Sequence, residues 1–192
     1  MGQWQLVKWS VGITIVFFIL IFFINGISED SLRINIRWSA RFAAAYFAIA
    51  FGSSSFQYFK KGLFSFWLIG NRKYFGITYA LVHLIHLLFI VVLHQAYHPI
   101  FNIAATSSLI GGGIAYAFTF VMLITSFSQF QSKISHRVWK VIHTIGGYWI
   151  WAIFFISYLK RVDTEIEYLP MIIIFMVVML LRVSKLMHNG FR

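Results

Sequence analysis

Apolar residues along this chain gather into six runs, each parted from the next by charged or turn-forming residues. The runs predict helices near Ser10–Asn25, Ser39–Phe56, Tyr74–His94, Leu109–Phe127, Val138–Leu159 and Leu169–Arg182. The chain has no series of short segments alternating polar with apolar residues, the mark of a membrane barrel, so its backbone polar groups are expected to pair inside helices. The first run is long enough to span and has no small-residue cleavage site, which reads as a retained anchor rather than a removed signal peptide. The expected fold class is therefore all-α, an integral membrane six-helix bundle in which residues 1–192 form one transmembrane domain.

Composition strengthens that reading. Of 192 residues, 60% are hydrophobic and 11% charged, and the mean hydropathy of +0.79 leaves too little polar surface for a water-soluble globule. Lipid is the expected surrounding. There are no cysteines, which excludes disulfides, thiolate-held clusters and haem attached through C-x-x-C-H, and leaves histidine, carboxylate or packing to hold any cofactor.

Charge supplies the orientation. Lys8, Lys60, Lys61, Arg72, Lys73, Lys133, Arg137, Lys140, Arg182, Lys185 and Arg192 fall on one side of the predicted spans with no acid among them. Glu29, Asp30, Asp163, Glu165 and Glu167 fall on the other, with Arg33, Arg37, Arg41, Lys160 and Arg161. The whole net charge of +11 thus sits on one side. Lys and Arg beside spans are retained in the cytoplasm, so both termini are expected there, in a multi-pass protein of a bacterial inner (cytoplasmic) membrane. Topology and attraction to anionic membrane lipid account for the basic charge without a nucleic-acid partner.

Candidate chemistry lies in the histidines, because an imidazole inside a span is costly and usually functional. His83, His86, His94 and His98 lie in or beside the third predicted helix, His136 and His143 in or beside the fifth, and His188 in the C-terminal tail. The third and fifth helices run parallel. Counted from Lys73 and Arg137, His83, His86 and His143 all fall in the cytoplasmic half, an arrangement expected to clamp a haem b between two axial nitrogens and to suit electron transfer. His94 and His98 are weaker ligand candidates at the outer end, where interfacial solvation also accounts for them. His136 sits in a basic loop. An outer haem would need an imidazole near Ile156 on the fifth helix, and none is there, so one haem is expected unless a second uses another ligand. Gly146 and Gly147, with Gly111 to Gly113 opening the fourth helix, would either admit a flat macrocycle or let helices pack closely.

Three stretches then carry a resemblance: N-R-K-Y-F-G-I-T-Y-A-L-V-H-L-I-H from Asn71 to His86, I-T-S-F from Ile124 to Phe127, and V-W-K-V-I-H-T-I-G-G-Y-W-I-W from Val138 to Trp151. W-S-A-R-F from Trp38 to Phe42 is a weaker echo. Together, over roughly Trp38 to Arg161, the chain resembles the ferric-reductase-like transmembrane domain superfamily, which holds the haem-binding membrane cores of ferric reductases and NADPH oxidases and the membrane subunit of the bacterial methionine sulfoxide reductase system. The resemblance implies that His143 is an axial ligand to haem iron and that His86 or His83 is its partner. It also implies a cytochrome b-like electron-transport component of an oxidoreductase. The donor would be a separate cytoplasmic flavin reductase or a quinol, and the acceptor a periplasmic protein, since the chain has no room for a flavin and nicotinamide domain. Ile156 stands where two-haem members and the methionine sulfoxide reductase subunit carry a further histidine. The competing expectations are a self-contained reductase of ferric or other metal chelates and a non-redox membrane transporter or structural subunit.

Overall fold

A computed structural model describes residues 2–98 and 103–190. Among them every regular element is helical: α1 (Gln3–Asn25), α2 (Glu29–Phe59), α3 (Leu63–Tyr97), α4 (Ile103–Thr125), the single turn α5 (Ser128–Gln131), α6 (His136–Leu159), a 3₁₀ turn (Ile166–Tyr168) and α7 (Leu169–Gly190). Four helices are long and apolar enough to cross a membrane, namely α1, α3, α6 and Ile166–Asn189, the last taking in the 3₁₀ turn and most of α7; Ile110–Thr125 within α4 is a shorter apolar helix. The long helix α2 falls outside that set: its first turns carry Glu29, Asp30, Arg33, Arg37 and Arg41, and its uncharged remainder is made less apolar by Ser53, Ser54, Ser55 and Gln57.

Local signals explain the ends. The Ser28 hydroxyl accepts from the Ser31 amide at the start of α2, and Glu29 and Asp30 lie in its first turn, where the helix dipole favours them. Gly26, at φ +71°, makes the left-handed turn between α1 and α2. The Ser135 hydroxyl caps α6 through the Val138 amide.

The helices pack around α2, which lies along α3 and, on another side, along α7; α4 lies against α6, and α1 against α3. Phe47, Phe51, Tyr79, Phe154, Tyr158 and Phe175 form a buried aromatic centre where α2, α3, α6 and α7 meet. Outward faces are apolar. Phe23 is 86% exposed and Leu63 93%, an inversion of soluble packing that suits contact with lipid tails.

Several expectations change here. The third helix starts at Leu63, eleven residues before Tyr74. Arg72 and Lys73 therefore lie inside a helix and mark no loop. The second starts at Glu29, ten residues before Ser39. Gly111 to Gly113 do not open α4, which begins at Ile103. His188 lies in the last turn of α7, edge-on to the Tyr58 ring at 6.0 Å.

Candidate functional site

The described ion pairs all gather at one end of the molecule: Glu29 with Arg33, Glu165 with Arg37 at 3.9 Å, and Glu167 with Arg41 at 2.9 Å. Arg41 is also held between the Trp38 and Tyr168 rings, at 5.0 and 4.9 Å. Among the described residues the opposite end has cations and no Asp or Glu, and into it opens a cavity of about 600 Å³. Its cationic lining is Arg72 and Lys73 from α3, Lys140 from α6 and Arg182 from α7, with no acid.

Each guanidinium is anchored on backbone. Arg72 Nε donates to the Ala50 carbonyl at 3.0 Å, and Arg182 Nη1 donates to the Phe51 carbonyl at 2.8 Å with its plane over the Phe51 ring at 3.9 Å. Gly76 leaves open space on the cavity wall. Gly147 instead meets Phe51 and Gly146 meets Met122 and Phe118, with a Cβ at 146 falling 2.7 Å from the Met122 sulfur. Both glycines let neighbouring side chains pack closely, and Gly147 also lines the cavity.

The α6 wall presents His136, Trp139 and His143, spaced to share one helical face. The Trp139 ring stacks on His143 at 4.2 Å, and its indole N–H donates to the Thr125 carbonyl at 3.1 Å. The Thr125 hydroxyl donates to the Val121 carbonyl at 2.7 Å, so it accepts from His143 Nε2 at 3.0 Å. That assigns the proton of His143 to Nε2.

His83 and His86 stand elsewhere. Their rings stack on one another at 5.5 Å, and His83 also stacks on Tyr116 at 4.4 Å and touches Phe154 at 5.4 Å. His86 Nδ1 lies 3.0 Å from the Ile36 carbonyl and 2.9 Å from the Ser39 hydroxyl. A carbonyl only accepts, so Nδ1 carries the proton and Nε2 keeps a lone pair, the orientation that suits a metal ligand. His94 and His98 lie at the far end of α3, 6.4 Å apart, with His98 as the left-handed C-cap.

The expectation of a common depth for these imidazoles does not hold. His83 meets Phe154, eleven residues along α6 from His143, which is roughly 16 Å of helix. On α4, His83 meets Tyr116 while His143 meets Thr125, nine residues away or roughly 14 Å. The reason is the start of α3. Counting from Lys73 and Arg137 treated both as helix entrances, but Arg137 lies in the first turn of α6 whereas Lys73 lies nearly three turns into α3. The structure gathers His143 and His136 in the cavity and His83 with His86 in the core, and does not join the two groups.

Against a haem, the cavity fits on one side. His143 offers an imidazole if Nε2 gives up Thr125, and the four cations suit two propionates. The α3 imidazoles do not fit as the opposite axial ligand. Thr125, Tyr116 and Arg182 went unsingled in the sequence reading; a threonine, a tyrosine and an arginine within apolar runs are the signals that mark them. Among the described residues no three of His, Asp and Glu converge as a metal-ion site. In comparisons with known proteins, the chain matches no family model, no curated protein and no solved structure.

Proposed function

We propose that this chain is a membrane electron-transfer protein with six crossings and cytoplasmic termini, whose basic cavity holds haem b on His143. The observation that carries the proposal is one cavity combining an imidazole, an open glycine wall at Gly76 and four cations without a carboxylate. A bound haem would supply one-electron chemistry. The chain's own contribution would be placement: His143 would hold the iron, with Trp139 bracing its ring, and Arg72, Lys73, Lys140 and Arg182 would take the propionates. The donor is a cytoplasmic flavoprotein or quinol meeting the basic end, and the acceptor lies at the acidic end. In this proposal His83 and His86 are not the opposite ligand.

The test is an optical spectrum of the purified, haem-supplemented protein, oxidised and then dithionite-reduced, beside His143→Ala. A reduced b-type spectrum lost in the variant supports the proposal. A colourless wild type, or a spectrum that survives His143→Ala, overturns it.

One observation favours a second reading, a self-contained reductase of anionic metal chelates. A cleft of about 580 Å³ at the acidic end is lined by Arg37, Trp38 and Arg41 beside Glu165 and Glu167. Oxidation of the reduced protein by a ferric chelate without any partner would select it. No such oxidation would leave the carrier reading.

A further inference from the structure

Five buried side-chain atoms among the described residues have no hydrogen-bond partner: both amide atoms of Asn35, Nδ1 of His83, the Tyr116 hydroxyl and Nε of Arg182. An unmet polar atom is costly in a protein interior and more so among lipid-facing helices, so such atoms call for a physical reason. Their placement supplies one. Arg182 lines the basic cavity, and the other four atoms lie along one track that leads to it.

The track starts at the acidic end. Ser31 is fully buried and its hydroxyl lies 2.7 Å from the Gly26 carbonyl, in the exposed turn between α1 and α2. Asn35, fully buried, follows one helical turn below, and Ser39, also fully buried, one turn below that. Ser39 meets His86 at 2.9 Å, His86 stacks on His83, and His83 on Tyr116. The Tyr79 ring lies 5.4 Å from His83, and its hydroxyl meets Thr119 at 2.7 Å. Tyr79 and Thr119 are themselves part of the cavity lining. Polar groups thus run from one end of the bundle to the cavity at the other, through a core otherwise built of Phe, Ala, Val and Ile.

We propose that this seam is a hydrated proton path between the acidic end and the basic cavity. Its unpartnered atoms are those that bridging waters would satisfy, each water standing in for the protein partner the atom lacks. A proton entering at the Ser31 end moves by exchange among waters, hydroxyls and imidazoles: each gains one O–H or N–H bond as it gives up another, Asn35 only anchors a water, and one proton leaves into the cavity for each that enters. No electron moves and no group keeps a net charge. The proposal does not rest on a haem being bound.

The test is proton flux into liposomes carrying the full-length protein, driven by a potassium diffusion potential with valinomycin and read by an entrapped pH dye. The wild type is compared with protein-free vesicles, Asn35→Leu and Tyr116→Phe. The expected result is flux above protein-free vesicles that falls at least about tenfold in each variant, because each removes a water's anchor and leaves a dry gap. Both substitutions nearly conserve side-chain volume, so the variants should stay folded, with melting temperatures in detergent close to the wild type's. Wild-type flux no greater than that of protein-free vesicles overturns the proposal without recourse to any variant. Flux unchanged in both variants overturns it as well, and the haem spectrum stays as an independent measurement.

Discussion

His83→Leu and His86→Leu should leave the haem spectrum in place, while His143→Ala should abolish it. The magnitude comes from two rulers within the bundle. On α6 the level of His83 is set by Phe154 and on α4 by Tyr116, which puts it roughly 14–16 Å from the level of His143. His86 lies three residues further, or about 4.5 Å. Two imidazoles on one metal need their nitrogens about 4 Å apart, twice a metal–imidazole bond of about 2 Å. No rotamer change closes a gap several times that size. Haem per protein, measured by pyridine haemochrome, should therefore stay at the wild-type level in both leucine variants, and the reduced α-band should not move. Stability should also change little for His83→Leu. Its Nδ1 has no partner, and replacing an unsatisfied buried group by an apolar one of similar volume is commonly neutral or better. Loss of haem from His83→Leu to the extent seen in His143→Ala would refute the reasoning, since α6 would then have to stand about three turns from where its contacts with Thr125 and Phe51 hold it.

Further outcomes follow from single contacts. Gly146→Ala should destabilise the protein by about 1–2 kcal/mol in a detergent melt, as overpacking against Met122 and Phe118 outweighs the helix gain, while Gly76→Ala, with open space around it, should be neutral or stabilising by up to about 1 kcal/mol. Equal effects at the two positions would count against the α4–α6 contact. Thr125→Val removes the acceptor that holds His143 Nε2, so haem should bind about 2- to 10-fold more tightly in a spectral titration; weaker binding would show that Thr125 orients the ligand instead. Arg41→Gln should cost about 1–2 kcal/mol and Glu167→Gln less than about 1 kcal/mol, because Glu167 is 71% exposed while Arg41 is held between two aromatic rings. Urea titration of both variants would read the difference.

The helical class and the separation of charge were legible because both are written residue by residue: apolar runs predict helices, and the acids cluster near positions 29–30 and 163–167. Helix extents were less so. Charged residues served as span boundaries, yet Arg33, Arg37 and Arg41 ride inside α2 with carboxylates or aromatic rings beside them, and Arg72 rides inside α3 on the Ala50 carbonyl. A partner from another helix decides whether a cation ends a helix or stays in it, and one chain read alone does not name that partner. The same error set the histidine depths. The spacing of Trp139 and His143 singled out both residues, and both line the cavity. Thr125 and Asn35 were not, because a hydroxyl or amide within an apolar run gains meaning only from what stands opposite.

The two polar features of the bundle obey different rules, and the difference bears on what the cavity holds. Along the seam the groups are neutral, and one water can satisfy each unmet atom. In the cavity the groups are cations that repel one another, and water screens them only in part at a low-dielectric wall. Backbone carbonyls from Ala50 and Phe51 fill some of the guanidinium valences but carry no net charge, and Arg182 Nε remains unmatched. Among the described residues no Asp or Glu side chain lines the cavity, since the acids lie at the other end. Under the proposal above, the compensating negative charge comes from a bound anion. An amphipathic anion suits both the cations at the mouth and the apolar floor of Phe47, Ala80 and Leu123. Haem, with two propionates on one edge of an apolar plane, meets both demands and can also use His143. An anionic lipid, with its phosphate and apolar tails, meets both demands as well but leaves the imidazole without a role, so loss of the ligand on His143→Ala is what separates the two.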